Sequence, residues 1–151
     1  MPSLESSVIF EARAKLASIV NSVTHEDLTG FVFASSGAEA NECAIRLARR
    51  FTGKEKVLSR HRSYHGGTAF SLGASGDFRT NFNRAIPGFV KFMDFQAQSF
   101  KWGQTHEEAV QNYLNYLEEL IIYENPATIA CITIELIVGS NGVLWSPTEV
   151  N

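Results

Sequence analysis

The stretch Ser35-Ser36-Gly37-Ala38-Glu39-Ala40-Asn41 lies between two different kinds of sequence. Before it runs Gly30-Phe31-Val32-Phe33-Ala34, apolar with β-branched and aromatic residues; after it an amphipathic pattern extends from Ala38 to Phe51. A strand followed by a helix is predicted. Ser36 and Glu39 have the spacing of a capping box, in which the serine oxygen accepts from the Glu39 amide and the glutamate reaches back to the Ser36 amide. The amides of Gly37 and Ala38 are then left without partners. Unpaired first-turn amides at the positive end of a helix dipole form an anion site, and Gly37 has no Cβ to hold a phosphate off the backbone. The stretch reads either as an ordinary capped helix or as a seat for a phosphate-bearing cofactor.

The chain around it has 151 residues, 44% hydrophobic and 19% charged, enough for a domain with its own core and unlike a disordered polymer. A formal charge of −3, with no basic run longer than Arg49-Arg50, argues against nucleic acid or an anionic membrane as partner. Cys43 and Cys131 both fall in apolar patterns and read as small buried hydrophobes. Neither a signal peptide nor an eighteen-residue apolar span is visible, so a cytoplasmic location is expected.

Outward from the central stretch, Leu4 to about Val20 has helical periodicity, and Asn21 to Thr29 reads as a loop. In the helix after Ser36, the residues Ala40, Cys43, Ala44, Leu47, Ala48 and Phe51 form an apolar stripe expected to be buried, with Arg49 exposed and Gly53 as the stop. Lys56-Val57-Leu58-Ser59-Arg60 is a short strand parallel to the first, as in a βαβ unit. Ligands bind beyond the carboxyl ends of such strands, where this chain places His61-Arg62-Ser63-Tyr64-His65-Gly66-Gly67. An aromatic beside permissive glycines can lie over a flat ligand. His61 and His65 share a spacing that suits a metal, but no third ligand is near, so no metal site is expected.

Further on, Thr68 to Leu72 reads as a short helix, the segment to Gly88 as a long loop, and Phe89 to Met93 as a strand. Thr105 and Glu108 form a second capping box that opens a helix over 106–123, with Val110, Tyr113, Leu114, Leu117, Leu120 and Ile121 on its apolar face and Glu118 on the exposed one. Thr128 to Val138 has the composition of a central strand buried on both faces. Glu135 interrupts it, and either pairs, protonates or lines a polar site there, or points outward from an edge strand. No G-x-G-x-x-G or P-loop pattern occurs.

Three motifs, Phe33 to Asn41 with Ala48-Arg49, Ser63 to Thr68, and Ile134 to Val143, together resemble the class III aminotransferases, pyridoxal 5′-phosphate (PLP) enzymes of fold type I. The resemblance implies an α/β fold with a mostly parallel sheet flanked by helices, part of the fold type I large domain. It also implies that Ser36, Gly37 and Ala38 hold the cofactor phosphate, that Tyr64 stacks on the pyridine ring with His65 accompanying it, and that Glu135 lies beside the pocket. Partners implied are a small-molecule amino donor, a keto acid acceptor and a second copy of the subunit. The loop Gly139-Ser140-Asn141-Gly142 is similar to that of taurine–pyruvate and other ω-amino-acid transaminases, whereas ornithine and 4-aminobutyrate relatives usually carry glutamate where Ser140 stands.

The sequence departs from the family where Leu136 replaces the usual proline after Glu135. Family members are typically well over twice this length, and none of Lys15, Lys54, Lys56, Lys91 and Lys101 matches the motif of their Schiff-base lysine. The aspartate that pairs with the pyridine nitrogen and the substrate-carboxylate arginine have no counterpart either. Residues 1–151 are therefore expected to be an incomplete cofactor-binding large domain, without catalytic residues of its own and inactive in isolation. The alternatives are a non-catalytic remnant that binds a phosphate-bearing ligand or an intact homologue, and an independent α/β domain.

Overall fold

Three short β-branched and aromatic runs, separated by helices, pair as a parallel sheet in the computed structural model of the chain, which describes residues 10–25, 27–82, 86–96 and 101–150. The strands β1 (Lys56–Arg60), β2 (Phe89–Phe92) and β3 (Ile129–Thr133) lie in the order β2-β1-β3. Strand β1 is central, so Val57 pairs with Phe89 on one side and Cys131 on the other. From Val57 to Arg60 it is fully buried.

The chain divides into two compact units, residues 1–33 and 34–151. The first contains helix α1 (Glu11–Val23), where Glu11 pairs with Lys15 at 2.6 Å and no residue is buried. This helix runs three residues past its expected end, and the expected first turns, residues 4–9, lie outside the described residues.

The second unit carries the sheet and helices α2 (Gly37–Thr52), α3 (Ala69–Ala74) and α4 (His106–Tyr123). Helix α2 ends at Gly53, whose φ of 69° is the left-handed conformation that glycine adopts without a Cβ penalty, and whose amide donates to Arg49 O. Helix α4 begins and ends where its capping box and stripe place it: Glu108 N donates to Thr105 Oγ1 at 3.2 Å and Thr105 N to Glu108 Oε2 at 3.4 Å. A 3-10 turn, Phe78–Phe82, occupies part of the predicted loop before Gly88, and Asn83 of that loop lies outside the described residues.

Four expectations are corrected. Gly30 to Ala34 forms no strand, because a strand exists only through ladder bonds to a neighbour and none of the described residues provides them. Thr128 to Val138 is not one central strand: β3 has a strand on one side only and Ile132 is 50% exposed. Its continuation, β4 (Ile137–Val138), turns into an antiparallel pair with β5 (Leu144–Trp145).

Third, the apolar stripe of α2 is not the buried face. Leu47 is 66% and Phe51 89% exposed, and Ala40 and Ala44 are exposed too. Ile45 is buried instead, joined to Val57 and Ala74 in a core that Phe70, Phe89 and Cys131 flank. The face containing Ile45 is lined by Asn41, Glu42 and Arg49, which satisfy themselves by cross-links. Asn41 Nδ2 donates to His65 O at 2.7 Å, and Glu42 Oε1 accepts from the Phe70 amide at 2.7 Å and from Thr68 Oγ1 at 2.6 Å. Fourth, Arg49 is half-buried: its guanidinium lies 4.7 Å from the Phe70 ring centroid and 5.2 Å from that of Phe89. Polar groups with partners can be buried without penalty, so hydrophobic periodicity points away from this face.

On α4 only Tyr113 of the predicted stripe is fully buried; Leu117, Leu120 and Ile121 are half-buried, Leu114 is 36% exposed, and Glu118 is exposed as expected. Cys43 and Cys131 are half-buried free thiols, and burial pushes the Cys131 thiol up.

Candidate functional site: a helix N-terminus meeting a tyrosine loop

At the start of α2, Ser36 is extended (φ −154°, ψ 161°) and its side chain accepts from Glu39 N at 3.2 Å. The reciprocal half of the expected box is shifted by one residue. Glu39 Oε2 takes the Ser35 amide at 2.7 Å and the Ser35 hydroxyl at 2.6 Å, rather than the Ser36 amide. These bonds hold the Glu39 carboxyl below its ordinary range. The consequence is one more donor than the sequence predicts: the amides of Ser36, Gly37 and Ala38 have no acceptor among the described residues. The position of a Gly37 Cβ has no atom within 4 Å, so the approach to these amides is open.

The loop after β1 meets this terminus through Gly66. Its φ is 133°, and a Cβ there would stand 2.7 Å from both Ala38 Cβ and Ser71 Oγ. Only glycine allows the Tyr64 loop and the first turn of α2 to touch. The loop is fixed on its inner side as well. His65 N donates to Ser75 Oγ at 2.8 Å, and Ser63 Oγ donates to Arg60 O at 2.7 Å. From β3's side, Glu135 Oε1 accepts the Tyr64 amide at 2.8 Å, and Arg60 Nη1 donates to Glu135 O at 3.2 Å. Glu135 therefore pairs, although it lies just beyond β3, an edge strand.

His65 is 8% exposed, and its buried Nε2 has no hydrogen-bond partner among the described residues. Burial holds the imidazolium below the ordinary histidine range, the Glu135 carboxylate opposes this, and the Lys91 ammonium adds to it. The Lys91 ammonium that acts on His65 is committed elsewhere. Its Nζ donates to Ser59 Oγ at 2.7 Å and to Gly73 O and Ala74 O at 2.6 Å each, and burial pushes it down to about 8. Lys15, Lys54 and Lys56 are engaged by Glu11, by Pro126 O and by Glu124.

The structure thus brings Ser36, Gly37, Ala38, Tyr64, His65 and Glu135 to one end of the sheet. Tyr64 is 37% exposed, which leaves it open to a flat group. Three amides and a buried imidazole nitrogen without partners among the described residues, an open approach and a part-exposed aromatic fit a phosphorylated aromatic ligand. Among the described residues, no group of three or more His, Cys, Asp or Glu side chains could hold a metal ion, and no helix is long and apolar enough to cross a membrane. Sequence reasoning missed Asn41, Glu42 and Ser75, which position the loop, and Arg79, whose guanidinium lies 4.5 Å from the Tyr64 ring centroid. Their partners are distant in sequence or set by loop geometry, and no local pattern marks them.

The class-III aminotransferase profile matches residues 4–151, and the chain belongs to that family. An acetylornithine aminotransferase of Listeria innocua is 44% identical over 71 residues, 46% of this chain and 18% of that protein. Gamma-aminobutyrate transaminase 1, mitochondrial, of Oryza sativa subsp. indica is 32% identical over 142 residues, 85% of this chain and 27% of that protein. Among solved structures, the taurine:2-oxoglutarate aminotransferase of Bifidobacterium kashiwanohense, in complex with PLP and glutamate, matches at a TM-score of 0.85 with 36% identity, over 96% of this chain and 34% of that one. The chain spans roughly a third or less of these relatives' lengths. Its parallel sheet flanked by helices matches PLP-transferase fold type I neighbours, and the family and its PLP-bound member point to PLP as the cofactor.

Proposed function

We propose that residues 1–151 are an incomplete large domain that contributes the phosphate and ring-contact part of a PLP site, in an aminotransferase moving an amino group from an ω-amino acid, taurine-like substrate or amine to a keto acid such as pyruvate. The observation that carries this reading is the contact of Gly66 with Ala38, which joins three unpaired amides to the Tyr64 loop. The Ser140 loop and the likeness to the taurine aminotransferase support the substrate class. The parent is read as a cytoplasmic homodimer.

PLP, when bound, supplies an electron sink for chemistry at the amino-bearing carbon. The chain's own residues bind and orient. The amides of Ser36, Gly37 and Ala38 would hold the phosphate, Tyr64 would lie on the ring, and His65 and Glu135 would fix the loop that presents it. With four of the five lysines committed elsewhere, the amine that works the cofactor is not assigned to these residues.

Two or three charge-assisted hydrogen bonds contribute roughly 1.5–3 kcal/mol each, against an association cost of about 4–15 kcal/mol. The isolated chain should bind PLP with a dissociation constant in the millimolar range or weaker, about 4 kcal/mol or less, and should not transaminate. Gly37→Asp, which places a like charge at the phosphate position, should abolish binding. The test is titration of the purified chain with PLP, with assay of alanine formation from pyruvate. A borohydride-reducible adduct on one specific lysine together with turnover would show that the chain supplies its own amine and overturn the proposal.

A further inference from the structure

We infer that Arg79, anchored by Asp77, is a positioning residue that backs one face of the Tyr64 ring and so presents the opposite face to the cofactor; this rests on the proposed reading of Tyr64 as the ring contact. The Arg79 guanidinium carbon lies 4.5 Å from the Tyr64 ring centroid and 4.9 Å from that of Phe78, a distance at which a cation is held by the ring quadrupole. The guanidinium is fixed at its other end. Arg79 Nη1 is ion-paired with Asp77 Oδ2, the Arg79 amide donates to Asp77 Oδ1 at 2.9 Å, and the Asp77 side chain is only 1% exposed. Asp77 is set in place by the 3-10 turn, where Thr80 Oγ1 and Thr80 N both donate to Asp77 O.

Without this plate, the hydrogen bond that holds Tyr64 among the described residues is the one from its amide to Glu135. A residue 37% exposed and tied at its amide samples several side-chain rotamers, and binding must then order it. A planar, always-charged guanidinium stacked on one face removes that freedom before the ligand arrives and leaves the other face open. A lysine in place of Arg79 keeps the charge but not the plane.

Two measurements on the full 151-residue chain test this. The probe is pyridoxine 5′-phosphate, which lacks the aldehyde and forms no adduct with lysines, compared with inorganic phosphate, which needs the amides but no ring contact; both are followed by NMR shift titration. Arg79→Gln should weaken pyridoxine 5′-phosphate about three- to fivefold, the equivalent of an exposed cation–π contact, and leave phosphate affinity unchanged. Arg79→Lys should show most of that loss, and Asp77→Asn a part of it. The second measurement needs no ligand: in Arg79→Gln the Tyr64 ring resonances should shift and its χ1 couplings should average. Tighter pyridoxine 5′-phosphate binding in Arg79→Gln would mean that Arg79 occupies the face the ligand needs, and would overturn the inference. An unchanged single Tyr64 rotamer in that variant would also overturn it. If the wild-type chain does not prefer pyridoxine 5′-phosphate to phosphate, the ring-contact reading of Tyr64 fails and the cofactor half of this inference with it, while the rotamer measurement still decides whether Arg79 holds the ring.

Discussion

The amide of Tyr64 donates to Oε1 of Glu135 at 2.8 Å across 71 positions of sequence. This one bond ties the end of the loop after β1 to the segment after β3, and it gives a carboxylate within an apolar run a partner. Replacing Glu135 with alanine removes the acceptor and should cost about 1 kcal/mol, at the low end for a bond to a charged group because Tyr64 is partly exposed. Glu135→Gln should cost less, since the amide oxygen can still accept. Hydrogen exchange at the Tyr64 amide is the direct measurement: it should accelerate strongly in Glu135→Ala and weakly in Glu135→Gln.

Glu42 holds α2 and α3 together by accepting from Thr68 Oγ1 and from the amides of Phe70 and Ser71. Burial raises its pKa, but these three bonds together with the Arg46 charge outweigh it and hold the carboxyl below its ordinary range. Glu42→Ala leaves two amides of the first turn of α3 unpaired and should destabilise the chain by about 1–3 kcal/mol in denaturant unfolding. An unchanged midpoint would show that water replaces the carboxylate at no cost.

Burial in α2 follows Ile45, not the apolar stripe. Ile45→Ala should cost about 2–4 kcal/mol, as for other buried aliphatic truncations. Leu47→Glu and Phe51→Glu should each change stability by less than about 0.5 kcal/mol, because both side chains are already in solvent. They should also reduce self-association measured by sizing chromatography, since an exposed apolar face favours it. A large loss of stability in Phe51→Glu would mean that this face is covered in solution.

His65 predicts a pH dependence with a definite sign. Its folded-state pKa is lowered by burial, so below the ordinary value of about 6.5 the unfolded chain takes up a proton before the folded chain does. The stability present above that value is therefore lost progressively as pH falls toward the folded-state pKa. Thermal midpoints should fall between pH 7.5 and pH 5.5 in the wild type and fall less in His65→Asn. Equal slopes in the two proteins would show that His65 titrates normally.

What the sequence determined by itself is local. The helix boundaries at Gly37, Gly53 and His106 follow from Ser36, from a left-handed glycine and from the Thr105–Glu108 box, each a contact within four residues. The family motifs were legible for the same reason, because each motif is a contiguous stretch, and the six residues proposed for the site lie within them. The tertiary structure alone decided which faces are buried and which residues hold the site. Asn41, Glu42 and Arg49 look like a solvated helix face until their partners arrive from 24, 28 and 6 positions away. Gly30–Ala34 has the composition of a strand, but a ladder needs a neighbour, and composition cannot supply one. Arg79 reaches Tyr64 only because the 3-10 turn after Asp77 carries it there. Hydrogen bonds satisfied at long range make polar faces buriable, and no periodicity in the sequence records them.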